Sequence, residues 1–296
     1  MECRKGDMEM TGTSSEVSSP VPRRFFRGPA KAVAFIRKDM TIAVSYRLQF
    51  VFQFSHVFFS IVLIYFIGKM VAASGASPVL AAYGADYFSF ALVGLAVNSY
   101  LKTGLITVTN DLRQMMNQGV LEALCAGPIE HKWLLLCTAL WPFLFETVRV
   151  AFYFLLGIAA FGLRLHDANW LGAGLTLLAT IPIFLMLGIL SCSILIVVKK
   201  GDPINWMFTS ISGLLAGTMF PVAVLPKWLQ IAAFCLPLTH ALEALRRCLL
   251  TGSSLWDIRD HLLALTLFMA VLLPVTVAIS NLCIAHARRS GAFATH

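Results

Sequence analysis

Long apolar runs without charge recur along this chain, and they leave few folds open to it. The first spans Phe50 to Gly68 and is bounded by Arg47 and Lys69. About 20 apolar residues cross the hydrocarbon core of a bilayer, so each such run reads as a transmembrane helix. The second runs from Tyr87 to Thr109 and carries Lys102. The third lies between Trp133 and Leu163 and contains Glu146 and Arg149. It exceeds one crossing, so it is expected to tilt, to protrude, or to break near Pro142. The fourth is Trp170–Val198, the fifth Ile204–Leu225 and the sixth Leu262–Ala285. Lipid offers the backbone no hydrogen-bond partner, and no segment alternates with a strand period. The expected fold is an all-α membrane protein with six transmembrane helices.

Composition agrees. Of 296 residues 58% are hydrophobic and 13% charged, about half the charged share of a soluble domain. The net charge of +8 would suggest nucleic acid in a soluble protein. Here it sits at span ends, where topology and anionic headgroups account for it, and no nucleic-acid partner is expected. With the N-terminus inside, 15 of the 23 Lys and Arg fall on inside segments, 6 outside and 2 within spans. Both termini are therefore expected in the cytoplasm.

Four regions follow. Residues 1–24 are polar, lack the apolar core of a signal peptide, and read as a disordered cytoplasmic tail. Residues 25–49 read as an interfacial amphipathic helix, with Val33, Ile36, Met40 and Val44 on one face and Lys31, Lys38 and Ser45 opposite. Residues 50–285 hold the six spans, and 286–296 form a cytoplasmic tail. The seven cysteines are scattered without a CxxC pair, so no metal site is expected. Whether Cys235 and Cys248, which share one loop, form a disulfide stays open.

Three sets of residues carry information. The loop between spans 2 and 3 includes Asp111, Arg113, Gly119, Leu121, Glu122, Leu124 and Pro128. It is mixed in polarity and suits either a docking helix for a cytoplasmic partner or a loop resting on headgroups. The segment from Phe220 to Arg246 contains Pro221, Pro226, Trp228, Pro237, His240 and Glu243. Its prolines interrupt helix, and broken helix at membrane depth survives only inside protein or along a cavity. It reads as a proline-broken, re-entrant external helix pair between spans 5 and 6, gating an exit; a surface loop with one amphipathic helix is the plainer alternative. His240 and Glu243 stand at i and i+3 as a hydrogen-bonded pair, and Glu243 is placed to pair with Arg246 or Arg247. The third set is Lys102, Glu146 and Arg149. Charge inside a span is costly, so partners are expected: Glu146 with Arg149 on one helix face, and Lys102 reaching Glu146 from span 2, as a structural tie between two helices or, alternatively, a proton or substrate path.

Phe35-Ile-Arg37-Lys-Asp39 followed by Tyr46-Arg-Leu-Gln-Phe50, then Gly119-Val-Leu121-Glu122-Ala-Leu124 through Pro128, then Phe220-Pro221 to Trp228-Leu229 and Pro237 to Arg246, occur in that order. In that order they resemble the type-2 ABC permease family, the membrane subunits of many bacterial exporters. The sequence departs at Val120, where Thr is usual, and at Asp111, where Glu is more common. The resemblance implies a six-helix subunit in the bacterial inner membrane, paired with itself or a close homologue. It implies two cytoplasmic ATPase subunits docked through Arg37, Asp39 and the 110–131 loop, with ATP and Mg bound by those partners and no cofactor on this chain. The substrates it implies are drug-like, lipid or lipid-linked amphiphiles, with polysaccharide export as an alternative.

The sequence has no G-x-x-x-x-G-K-[ST] phosphate loop, no H-E-x-x-H and no G-x-S-x-G. Two other classes compete. A membrane enzyme acting on lipids would use Glu130 with His131, or His240 with Glu243, as acid and base. A secondary transporter would show an internal repeat, and none is found.

Overall fold

The computed structural model describes residues 47–73, 86–117, 131–163, 168–198 and 203–289, with single residues 37, 40, 41, 75, 83 and 165. Among these, eight α-helices and no strands occur. They are α1 (Arg47–Ala73), α2 (Tyr87–Asn117), α3 (His131–Phe161), α4 (Trp170–Val198), α5 (Pro203–Leu215), α6 (Lys227–Phe234), α7 (Pro237–Leu250) and α8 (Arg259–Arg289). The tail 1–24, nearly all of the 25–49 helix, Asp39, and the loop from Gly119 to Glu130 lie outside the described residues.

Among the described residues, five helices are long and apolar enough to cross a membrane: α1, α2, α3, α4 and α8. Span 3 does not break at Pro142. Helix α3 runs through it for 31 residues, about 46 Å at 1.5 Å per residue. Its apolar window begins only at Trp141, so the surplus length lies before the membrane-crossing part.

The fifth expected span is corrected. Helix α5 ends at Leu215 rather than Leu225 and has 13 residues, about 20 Å against a core of about 30 Å. The stop is local. Gly217 takes φ +80, a left-handed conformation that strains any residue with a Cβ. Pro221 follows in extended conformation and leads a single 3₁₀ turn at Val222–Val224. Pro226 precedes α6 and Pro237 opens α7, the position where a missing N–H costs a helix nothing. Helices α6 and α7 meet at 89°, and together they qualify as one broken span or a re-entrant loop. The proline-broken helix pair is thus present, and it takes up chain that the sequence reading had given to a full fifth span.

Helices α2 and α4 form the centre. Helix α2 packs on α1, α3, α4, α5 and α7, while α4 also packs on α7 and α8. The larger core joins Val97, Leu101, Phe184, Leu242, Leu245 and Leu265. A smaller one under α1 joins Val57, Ile61, Phe88, Leu92 and Tyr153. Asn169 caps the start of α4: its side-chain oxygen accepts from the Gly172 N–H at 3.0 Å, and its amide donates to the Ser253 carbonyl at 3.0 Å. That one residue fixes the top of α4 against the end of α7.

Candidate functional site

The polar chemistry divides between the two ends of the bundle. The end with α6 and α7 is built around Arg246. Ten of the 14 residues of α7 are buried, and Arg246 is one of them at 2% exposure. Its Nη1 donates to the Gly217 carbonyl at 2.8 Å, its Nη2 to the Thr218 carbonyl at 2.8 Å, and its Nε to the Phe90 carbonyl at 3.3 Å. The guanidinium carbon sits 3.5 Å from the centre of the Phe90 ring. One side chain therefore satisfies the carbonyls exposed where α5 stops, and it ties the broken segment to the start of α2. Gly94 makes room: a Cβ there would overlap the Thr218 carbonyl oxygen and lie 2.6 Å from Arg246 Nη2.

Of the two ion pairs open to Glu243, the one with Arg247 is formed and the one with Arg246 is not. Glu243 Oε1 accepts from Arg247 Nε at 3.0 Å, and Oε2 accepts from the Tyr83 hydroxyl at 2.9 Å. Burial, and then the Glu243 charge, push Tyr83 up to about 12, so it stays a donor at neutral pH. His240 and Glu243 do not pair either. His240 Nε2 lies 3.0 Å from the Phe234 carbonyl, which can only accept, so Nε2 carries the proton. Its Nδ1 faces His261 Nδ1 at 3.3 Å, which joins α7 to the first turn of α8. Phe220 is half-buried, Pro221 buried and Trp228 69% exposed, so Trp228 faces outward from this assembly. Cys235 and Cys248 are both free thiols, the first exposed and the second buried.

The intramembrane charges meet in part. Glu146 is 1% exposed, and its Oε2 accepts from Arg149 Nη1 at 2.6 Å. The second ligand of that carboxylate is the Thr103 hydroxyl at 2.9 Å, not Lys102. Lys102 is exposed and has no ion-pair partner among the described residues. One residue along α2 rotates a side chain by about 100°, which turns Lys102 away and Thr103 in. Arg149 Nη2 also donates to Gln53 Oε1 on α1 at 3.0 Å, so the cluster staples three helices.

At the same end of the bundle, Asn205 in the first turn of α5 donates to the Leu105 carbonyl at 3.1 Å and to the Thr109 hydroxyl at 2.8 Å. Its side-chain oxygen accepts from Ser191 on α4. This buried hub joins α5 to the last turns of α2, whose continuation is the 110–131 loop. Of that loop, helix α2 holds Asp111 and a half-buried Arg113, while Gly119, Leu121, Glu122, Leu124 and Pro128 lie outside the described residues. Arg37 is helical and exposed.

Sequence reasoning missed Gly94, Phe90, Tyr83, His261, Gln53, Thr103 and Asn205. Asn205 had a readable signal, an amide within two residues of the start of an apolar run. Gly94 had none, because glycines are common in spans.

A comparison with curated proteins finds no match. The family model of ABC-2 type transporters matches residues 37–250. That range takes in the described part of the first segment, α1 to α5, and the whole broken pair through the end of α7. The chain belongs to the ABC-2 type transporter family and is a multi-pass membrane permease.

Proposed function

We propose that this chain is the membrane subunit of an ATP-driven exporter that moves an amphipathic substrate out of the cytoplasm. Two ATPase subunits on separate chains dock on residues 25–49 and 110–131, and a second copy of this chain or a close homologue completes the permease. ATP binding closes the ATPases and shifts the helices from inward-facing to outward-facing. Both termini lie in the cytoplasm of a bacterial cell, and the α6–α7 end faces outward. The observation that carries this reading is the family match across residues 37–250. Two features support it. The sequence contains no phosphate-binding loop of its own, and its Lys and Arg concentrate ahead of α1, where residues 1–47 hold nine of the 23.

The test is purification from the native host in mild detergent, followed by mass spectrometry and an ATPase assay. An ATPase subunit should stay bound, and Glu122→Lys should release it. Substrate transport by the chain alone, with no ATPase present, would refute the proposal.

A further inference from the structure

Between α1 and α3, at the end of α1 that begins with Arg47, a groove opens to the lipid-facing surface. It is lined by Leu48, Phe52, Gln53, His56 and Arg149. Its polar wall is rich in donors. Arg149 has five N–H groups, of which one is directed to Glu146 and one to Gln53. The Gln53 oxygen is occupied by that bond, which leaves its two amide hydrogens to face the groove. His56 is exposed, and among the described residues it has no hydrogen-bond partner. The acceptor that balances Arg149 is withdrawn behind it, since Glu146 is 1% exposed while the Arg149 side chain is 23% exposed.

Donors left open at membrane depth are costly. The group that answers them has several acceptor oxygens and a negative charge, which is the chemistry of a phosphate. Apolar surface lies beside it on α1, where a separate groove is lined by Val51, Phe54, Ser55, Phe58 and Phe59. Phe52 is 70% exposed and Phe59 68% exposed. Gln53 lies six residues beyond Arg47, about 9 Å along the helix, which is headgroup depth for a side chain that reaches toward the interface.

We propose that this groove binds an anionic phospholipid, its phosphate held by Arg149, Gln53 and His56 and its acyl chain laid along the aromatic face of α1. The leaflet is the one at the α1 start. Calling it cytoplasmic rests on the exporter reading, whereas the binding does not.

The test uses the full chain in nanodiscs of phosphatidylcholine, with and without phosphatidylglycerol. Lipid retained after detergent extraction is counted by native mass spectrometry. Phosphatidylglycerol should be retained about tenfold over phosphatidylcholine, and His56→Glu and Gln53→Leu should each remove most of that preference. Arg149 is kept, because its loss would strand the Glu146 carboxylate. Lys69→Glu, at the other end of α1, should leave retention unchanged. Equal retention of the two lipids, or retention indifferent to both groove variants, overturns the proposal. So does displacement of the lipid by millimolar inorganic phosphate, which would make this a site for the free anion. The readout involves neither ATPase nor transport, so it stands or falls apart from the exporter reading.

Discussion

Arg246 makes three hydrogen bonds to main-chain carbonyls, where a sequence reader expects a carboxylate. The neighbouring acid, Glu243, is turned toward Arg247 and Tyr83 instead. A turn buried in protein leaves main-chain carbonyls without ladder partners, and a planar fork of donors suits several at once. Arg246→Met should therefore cost about 3 kcal/mol or more, measured as thermal unfolding in detergent. Arg246→Lys should not rescue it, because an ammonium cannot span the same three oxygens. At the other cluster, Thr103→Val should cost about 1 kcal/mol by removing a ligand of a buried carboxylate. Lys102→Met should stay within about 0.5 kcal/mol, as for an exposed side chain away from such features. These two residues show how far the sequence was legible. The need for a partner to Glu146 was readable from its burial in a span, and Arg149 from its i+3 spacing. Which of two adjacent residues on α2 would face it depends on helix rotation, which packing sets.

At the scale of elements, the five long spans were legible because lipid enforces helix wherever an apolar run is long enough. Their ends on the α6–α7 side were read within a few residues at Tyr87 and Trp170, where α2 and α4 begin. Helix α5 was misjudged because hydropathy does not register a backbone turn: Ala216 to Leu225 is as apolar as a helix and contains a positive-φ glycine. Gly217 and Pro221 were the local signals against a full span. The close fit of this turn to α2 predicts that Gly94→Ala is disruptive, costing about 2 kcal/mol as overpacking against backbone. Gly174 on α4 is the control, since a Cβ there meets nothing within 4 Å. Gly174→Ala should be neutral or stabilise by up to about 1 kcal/mol. Thermal midpoints of both variants, in the same detergent, check the pair.

For the whole molecule, the arrangement of termini and loops yields a labelling prediction. Cys235 is exposed at the α6–α7 corner, whereas Cys192 and Cys248 are buried. Under the proposed orientation a membrane-impermeant maleimide applied to spheroplasts should modify the chain at Cys235 alone, and Cys235→Ser should abolish the signal. Labelling of Cys235 only after permeabilisation would reverse the orientation. The proposed docking surface was legible only as a motif, and of its residues Arg37, Asp111 and Arg113 alone fall among the described ones. The turn that ends α5 has a mechanical consequence. A wall made of continuous helix changes shape only by tilting as a rod or by losing several ladder bonds together. The stretch from Gly217 to Phe220 has no ladder bond to lose. Its shape is held chiefly by one guanidinium on α7, so a small shift of α7 along its axis would remodel that wall while every long helix stays intact.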